Sequence, residues 1–386
     1  MQSYLDQQPE GLGFVIGYAS PQFPSSSNLF WAGNVANQFG QPLKLEGGTP
    51  FIIASITKTF TATLYALLIR QYNSAHTLSE YIAPNGPLPI SSILGGISLD
   101  SLVNYTSGFP EGDNDVPPYL PQPYSLPAML GYLNAGPPRV DGTGKIYTYS
   151  NLAFAIMSAV LRCSAPGAPW ELVFTDVMRN TILDPLGMSS SHFFGDTRIQ
   201  HLPLGYDYNN DSPPAYSKIA PGWDLLPAYN GPGGLVASAN DMMRWLLFNM
   251  GIVKNSILTP LLPALQTPST MVEAKFVWGK SQLGLGWFIT LSDQNFPSVL
   301  WKDGDLGGAN SYIAFLNSED IENTASQAGV FVLVNGSNIN GKYRKQEVEV
   351  AAAIAWDVLY IMQGRTPPAD KSLYPRSAVR RLPPKP

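Results

Sequence analysis

The segments that resemble β-strands lie at the two ends of this chain of 386 residues. GLGFVIGYAS and NLFWAGN occur near the start, and LGLGWFITL, SVLWKDG, NSYIAFLN and GVFVLVNG follow from about residue 284. Helical patterns fill the middle, and a last helical segment, QEVEVAAAIAWDVLYIMQG, follows the strands. The simplest fold is therefore of the α/β (α+β) class, with one antiparallel sheet built from both chain ends, flanking helices, and an inserted, mostly helical domain.

This order of segments predicts where the domains divide. Residues 1–70 and 275–365 would form a discontinuous sheet domain, residues 71–274 a helical domain, and residues 366–386 a tail rich in proline and basic residues. Such a tail is expected to lie over the surface or to be mobile. The segment FPEGDNDVPPYLPQPYSLP holds six prolines, so residues 110–127 are predicted to form a long loop or lid.

The composition excludes several classes of protein. Only 13% of the residues are charged and the net charge is −5, which leaves no basic surface for nucleic acid. A single cysteine, Cys163, excludes an intramolecular disulfide and a cysteine-based zinc site, and a buried thiol is expected. No membrane span is expected, because no run of about 18 apolar residues occurs. No leader pattern is visible, so two cellular locations stay open. The protein is cytoplasmic, or it is periplasmic or secreted and its leader has been removed.

The first motif that could support catalysis is in FIIASITKTF, residues 51–60, where a predicted apolar strand is followed by a predicted helix. Ser55 and Lys58 are three residues apart and would share one helix face. The N–H groups at a helix start suit a developing oxyanion. A serine hydroxyl needs a base to become a good nucleophile, and a desolvated lysine can serve as that base. Taken alone the motif is weak, since Ser55 could cap the helix and Lys58 could be solvated.

The second motif is Tyr149-Ser150-Asn151. A tyrosine near a lysine can relay a proton to a leaving group, and an asparagine can both donate to and accept from an amide. The alternative is a common polar start of a helix.

The third motif is Lys302-Asp303-Gly304, followed by Asp305, on a predicted strand. A glycine lets a ligand lie close to the backbone. The N–H of Asp305 could then bind an oxyanion together with the N–H of Ser55. A strand end in a charged turn is the alternative interpretation.

With these three motifs in this order, the chain resembles the penicillin-recognising serine hydrolases: class C β-lactamases, DD-peptidases and family VIII carboxylesterases. The resemblance is closest to the periplasmic penicillin-binding endopeptidase/carboxypeptidase relatives of class C β-lactamases, and it spans about residues 12 to 363. Further segments that carry it are SLVNYTSGFP, YSNLAF, ILDPLGMSSSHF, GPGGLVASANDMMRWL and AAAIAWDVL.

The resemblance implies a β-lactamase/transpeptidase-like fold and a role for each motif residue. Ser55 would be the acylated nucleophile, Lys58 its activating partner and Tyr149 the proton shuttle. Asn151 would bind a substrate amide, and Lys302 would complete a cationic wall. The substrate would be a small molecule or peptide with an amide, ester or β-lactam bond. No metal or cofactor is implied, and the oligomeric state is left open.

The third motif departs from the family, which has Thr or Ser where this chain has Asp303. At a separation of about 6 Å, a like-charge pair costs a bound carboxylate about 0.7 kcal/mol at the dielectric of water and about 3 at an effective value of 20. Asp303 and Asp305, together with acidic residues of the 110–127 loop, therefore predict a substrate whose tail is neutral or cationic. Alternatively, Asp303 points away and pairs with a lysine or arginine.

Three functions remain open from the sequence. They are amide hydrolysis of the DD-peptidase or β-lactamase kind, hydrolysis by a carboxylesterase or D-aminoacyl amidase, and a penicillin-binding sensor without turnover. A Ser-His-Asp hydrolase is disfavoured because the chain has no G-x-S-x-G segment, and a metal site at His192 and His201 lacks a third strong ligand. GPGG at 231–234 is expected to be a tight loop beside the cleft. Trp223, Tyr229 and Tyr312 are either pocket or core residues.

Overall fold

A computed structural model gives the fold of the chain. It describes residues 11–20, 28–72, 76–81, 94–110, 125–136, 143–164, 174–209, 215–219, 227–276, 279–292, 296–317, 327–337, 350–370 and 374–376. Most of the lid-like segment 110–127 and Trp223 lie outside these residues, and so does the side chain of Cys163.

Strands occur in three parts of the described chain: near its start, between residues 192 and 238, and from residue 273 onward. They are β1 Gly13–Ala19, β2 Leu29–Gly33, β3 Val35–Ala36, β4 Pro42–Leu43, β5 Pro50–Ile52, β6 His192–Phe193, β7 Gly205–Asn209, β8 Ala215–Ile219, β9 Leu235–Ser238, β10 Glu273–Phe276, β11 Gly279–Leu283, β12 Phe288–Thr290, β13 Val299–Leu306, β14 Ala309–Leu316, β15 Gly329–Val334 and β16 Gly336–Ser337.

Helices and helical turns separate these strands. The α-helices are α1 Thr57–Tyr65, α2 Leu99–Val103, α3 Leu126–Asn134, α4 Asn151–Ser164, α5 Phe174–Met178, α6 Asn230–Gly233, α7 Ala239–Asn249, α8 Leu262–Gln266 and α9 Val350–Met362. The 3₁₀ turns are Ala54–Ile56, Leu78–Glu80, Asp184–Leu186, Pro227–Tyr229 and Thr259–Leu261, and π-turns extend α1 (Ala66–Arg70) and α5 (Arg179–Leu183). Among the described residues, no helix has the length and apolar character needed to cross a membrane.

The main sheet is built from both chain ends, as the sequence predicts. Its eight strands run in the order β10-β11-β12-β13-β14-β15-β1-β2, and every neighbouring pair is antiparallel. The first strand joins the last long one, with Val15 opposite Leu333. Every residue of β15 is buried, since α9 packs on β14 and β15 while α7 packs on β1 and β15. Because both faces of β15 are covered by helices, its sequence, GVFVLV, is apolar throughout and does not alternate between apolar and polar residues.

The middle of the chain also forms strands, β6 to β9, which are not predicted from the sequence. They pair with strands from outside this region: β9 lies between β5 and β6 in one small sheet, and β7 lies between β16 and β8 in another. These strands are two to five residues long, too short to show the alternation on which a prediction depends. Their pairing is also distant in sequence, with Phe51 opposite Ala237. The division into residues 1–70 with 275–365, 71–274 and 366–386 stays a prediction.

Part of the C-terminal tail is packed rather than lying over the surface, which corrects the expectation from its composition. Tyr374 is 2% exposed and Arg376 is 7% exposed. The hydroxyl of Tyr312 on β14 donates to the carbonyl oxygen of Pro375 at 2.7 Å, and the hydroxyl of Tyr374 donates to Asp357 on α9 at 2.6 Å. The tail docks because its tyrosine can bury an apolar ring and still satisfy its hydroxyl.

One buried asparagine ties the chain start to the rest of the sheet. Asn335, directly after β15, is 3% exposed. Its Nδ2 donates to the carbonyl oxygens of Gly11 and Leu204, at 2.9 and 2.8 Å, and its Oδ1 accepts from the N–H of Gly13 at 2.7 Å. Three backbone groups from two distant segments thus depend on one side chain.

We expect Asn335→Ala to lower the free energy of unfolding by about 3 kcal/mol, because it leaves buried backbone groups without partners. Denaturant unfolding followed by circular dichroism measures this change. Asn240→Ala, at an exposed position of α7, is the control and should change the free energy by less than about 0.5 kcal/mol. Equal effects of the two substitutions would contradict the role given to Asn335.

Candidate active site

Ser55 is presented by a strained turn at the end of β5. Ala54, directly before it, has φ of +44°, in the left-handed region that residues other than glycine rarely adopt. The turn is held from both sides: the N–H of Ile53 donates to Leu235 of β9 at 3.2 Å, and the hydroxyl of Thr57 donates to the carbonyl of Ala54 at 2.7 Å. A residue in this region costs about 1–3 kcal/mol, and such strain persists where the surroundings enforce it.

Lys58 lies one turn after Ser55 on α1 and is completely buried. Its Nζ is 2.8 Å from Ser55 Oγ, 2.6 Å from Asn151 Oδ1 at the start of α4, and 2.8 Å from the carbonyl oxygen of Pro232 on α6. The site therefore joins three helices, and the prediction that Lys58 is solvated is excluded.

These three contacts satisfy the amine of Lys58. The Pro232 carbonyl and Asn151 Oδ1 can only accept hydrogen bonds, so each takes one N–H group. Nζ also donates to Ser55 Oγ at 2.8 Å. Once the amine has lost one proton, this contact places its lone pair at the Ser55 hydroxyl, from which it can take the proton.

Tyr149 completes a chain of three polar groups. Its hydroxyl donates to Ser55 Oγ at 2.8 Å. Its ring lies between two lysines, with its centre 4.9 Å from Nζ of Lys58 and 5.4 Å from Nζ of Lys302. Tyr149, Ser55 and Lys58 thus form one path along which a proton can move, and each is the residue that the sequence motifs indicated.

Tyr105 supports Tyr149 and was not singled out from the sequence. It stacks on Tyr149 with ring centres 5.6 Å apart and planes 13° from parallel. Its hydroxyl donates to the carbonyl of Gly286 at 2.8 Å. Burial raises the pKa of Tyr105 well above its usual range, and Tyr149, Tyr147 and Asp303 raise it further. Tyr105 is therefore a protonated, fixed support. Its φ of +63° is a signal of special geometry that only coordinates reveal.

Lys302 and Asp303 form a buried ion pair inside the third motif. Nζ of Lys302 donates to Oδ1 of Asp303 at 2.6 Å and to the carbonyl oxygen of the same residue at 2.7 Å. The lysine is 0% exposed and the aspartate 2%. The sequence left the orientation of Asp303 open, and the structure pairs its carboxylate with the lysine of its own motif.

Gly304 brings β13 against the nucleophile. A side chain at this position would overlap the carbonyl oxygen of Ile53 and the hydroxyl of Ser311, and its first carbon would lie 3.1 Å from the backbone nitrogen of Ser55. The Ser311 hydroxyl donates to the Ile53 carbonyl at 2.8 Å, which fixes β14 to the same turn. Asp305 follows on β13 opposite Asn310. The use of its N–H as an oxyanion donor stays a prediction.

Several other candidates from the sequence are buried in the interior. Tyr229 and Tyr312 are buried in the core, at 1% and 0% exposure. His192 is buried against Arg179 and Asp196, and burial lowers its pKa. Within the described residues, no group of three or more His, Cys, Asp or Glu side chains could hold a metal ion. Pro232 of the GPGG segment binds Lys58 through its backbone carbonyl, a contact that no residue type in the sequence indicates.

Comparisons with known proteins identify the family of this chain. The family model described as Beta-lactamase matches residues 28–354. The D-alanyl-D-alanine-carboxypeptidase/endopeptidase AmpH of Escherichia coli (strain K12) is 28% identical over 296 residues, covering 74% of this chain and 70% of that protein.

Two solved structures share the fold. A beta-lactamase/D-alanine carboxypeptidase from Pseudomonas syringae has a TM-score of 0.66 at 20% identity, with 95% of this chain and 97% of that chain covered. A class C beta-lactamase from Rhodobacter sphaeroides has a TM-score of 0.63 at 20% identity, covering 88% and 93%. The β-lactamase/transpeptidase-like fold and the family resemblance predicted from the motifs are confirmed: the chain belongs to the Beta-lactamase family, whose members are serine hydrolases.

Proposed function

We propose that this protein hydrolyses amide or ester bonds through an acyl-enzyme formed on Ser55. The observation that carries the proposal is the hydrogen-bonded path from Tyr149 Oη to Ser55 Oγ to Lys58 Nζ, with 2.8 Å for each contact. A nucleophile, a buried base and a second proton carrier are the groups that acyl transfer to serine needs.

Acylation begins when Lys58 takes the proton of Ser55 and Oγ attacks the substrate carbonyl carbon. The carbonyl oxygen becomes negative and lies between the N–H groups of Ser55 and Asp305. When the intermediate collapses, Tyr149 gives its proton to the leaving group, and the proton held by Lys58 restores Tyr149. The carbonyl carbon is then bonded to Ser55 Oγ, and the leaving group departs as a neutral amine, alcohol or thiol.

Deacylation repeats the steps with water in place of Ser55. Tyr149 and Lys58 take a proton from the water, which attacks the acyl carbon, and Oγ of Ser55 leaves with that proton. Asn151 holds Lys58 through its Oδ1 and is proposed to bind an amide of the substrate. Lys302 stands beside Tyr149, with Nζ 5.4 Å from its ring centre, and is proposed to hold that ring in position.

The type of scissile bond is a finer proposal. The name of the Escherichia coli relative, a carboxypeptidase/endopeptidase, favours peptide-like amides as a first candidate. The buried Lys302–Asp303 pair favours the second candidate, an esterase or D-aminoacyl amidase for uncharged substrates. The third candidate is a sensor whose acyl-enzyme forms but is not hydrolysed. Only the deacylation rate distinguishes it from the other two candidates.

For Ser55→Ala, we expect at least about a 10³-fold loss of kcat/KM, since no nucleophile remains. Initial rates of wild type and variant are compared on a neutral chromogenic short-chain ester and on a chromogenic cephalosporin. Intact-mass analysis after an acid quench should show the added acyl group on wild type alone. Full activity of the variant would refute the role of Ser55, and an acyl group that persists without turnover would identify a sensor.

For Tyr149→Phe, the expected loss depends on the leaving group. The kcat/KM for an ethyl ester, which reports acylation alone, should fall by about 10²- to 10⁴-fold, because the alkoxide must be protonated as it leaves. The kcat/KM for a p-nitrophenyl ester with the same acyl group should fall less, since p-nitrophenolate leaves without a proton. Tyr147→Phe removes a hydroxyl two residues earlier and should change neither rate greatly. Equal losses on both esters would contradict the shuttle role.

For Gly304→Ala, we expect activity to fall by about 100-fold or more, because a methyl group there would push β13 away from Ser55. The oxyanion site would widen while the nucleophile stays intact. The rate of Ser55 labelling by a fluorophosphonate and the thermal unfolding midpoint are measured together. Gly131→Ala on α3, where a side chain would meet nothing within 4 Å, is the control. Wild-type activity in Gly304→Ala would refute the close approach of β13.

A further inference from the structure

The cation in the wall of the cleft is neutralised within the protein itself. Lys302 directs its ammonium group at the carboxylate and the carbonyl oxygen of Asp303, at 2.6 and 2.7 Å. Both residues are buried, so water does little to screen the pair. To a group in the cleft, the two charges act as a short dipole rather than as a free positive charge.

This pair stands next to the nucleophile. Nζ of Lys302 is 5.4 Å from the ring centre of Tyr149, whose hydroxyl donates to Ser55. The residue after Asp303 is Gly304, which packs against the backbone nitrogen of Ser55. The carbonyl group of a substrate bonded to Ser55 therefore lies close to Gly304, the residue that directly follows the pair.

Lys58 and Asp305 are further ionisable residues close to Ser55 or Asp303 in the described part of the chain. Lys58 directs its Nζ at Ser55, Asn151 and Pro232 and is neutral in the proposed reactive state. Asp305 adds a second carboxylate two residues after Asp303 on the same strand. If Lys58 is neutral, Lys302, Asp303 and Asp305 sum to a negative charge, which repels an anionic substrate group.

Stability alone does not account for the pair. Taking two charges out of water costs several kcal/mol per ion, and a buried ion pair is often no more stable than apolar residues of the same size. A buried carboxylate beside a reactive serine is therefore better explained by what it does to the cleft.

Building on the proposed acyl-enzyme function, we infer that Asp303 determines specificity by occupying Lys302 in place of a substrate carboxylate. The group of the substrate that lies along β13 is then uncharged or cationic. The substrates are esters, thioesters or amides without a carboxylate on the leaving group. Asp303 takes no part in bond making, so it changes which substrate is used and not the order of steps.

Two matched thioesters test this inference. They share one neutral N-acylglycyl group and leave as thioglycolate, which carries a carboxylate, or as thioglycolamide, which does not. Acyl transfer to Ser55 releases the thiol, and a chromogenic thiol reagent detects it. For wild type, we expect kcat/KM to be at least about tenfold higher for the thioglycolamide ester.

Asp303→Asn keeps the side-chain shape and removes the charge. We expect it to reduce the preference for the thioglycolamide ester by at least about tenfold, because Lys302 then attracts the carboxylate. In Lys302→Gln/Asp303→Asn, the gain for the thioglycolate ester should disappear, since no cation remains. Asp100→Asn breaks another ion pair, with Arg70, and should leave the preference unchanged.

The outcomes separate this inference from the proposed function. Thiol release that persists in Ser55→Ala refutes the acyl-enzyme, whatever the preference. If thiol release depends on Ser55 but wild type cleaves the thioglycolate ester as fast as the thioglycolamide ester, the role of Asp303 is refuted. This second result needs no variant to fold. An unchanged preference in an Asp303→Asn protein with a wild-type thermal unfolding midpoint refutes it as well.

Discussion

The buried amine of Lys58 is the interaction on which the rest of the site depends. A lysine with no exposed surface needs polar partners, because an unpaired amine in the interior is costly. Its partners come from three places: Ser55 on the preceding turn, Asn151 at the start of α4, and Pro232 on α6. The helices that surround the cleft must therefore keep their relative positions if Lys58 is to remain satisfied. The same contacts that make Lys58 tolerable in the core also aim it at the serine.

The sheet supplies the opposite wall of the cleft, and its closeness to Ser55 comes from small features of the backbone. Ala54 adopts a left-handed conformation, and Gly304 has no side chain to hold the strand away. The Ser311 hydroxyl binds Ile53 and secures the contact from β14. Strain at a nucleophile persists only where the fold over-determines it. Here β5 is paired with β9, and Ile53 is hydrogen-bonded to both β9 and β14. These contacts restrain the backbone of the turn in its strained conformation.

In the specificity that we propose, the Lys302–Asp303 pair changes the cleft without changing the chemistry at its centre. The hydrogen-bonded path from Tyr149 through Ser55 to Lys58 does not involve Asp303. What the pair would alter is the electrostatic field beside that path. A fold of this kind fixes the nucleophile, while the residues around it decide what reaches it.

The sequence by itself determined the class of fold and indicated the candidate central residues. Strand-like segments at both ends imply a sheet built from both ends, and Ser55, Lys58 and Tyr149 stand out because three motifs occur in an order that resembles a known family. The tertiary structure alone decided the rest. The carbonyl of Pro232, the stack of Tyr105 on Tyr149, the pairing of β5 with β9, and the docking of Tyr374 all depend on contacts between residues far apart in the chain. Periodicity and spacing report only on local neighbours. The orientation of Asp303 was undecidable for the same reason: alternation along a strand would separate neighbouring side chains, and only the packing around Lys302 turns the two toward each other.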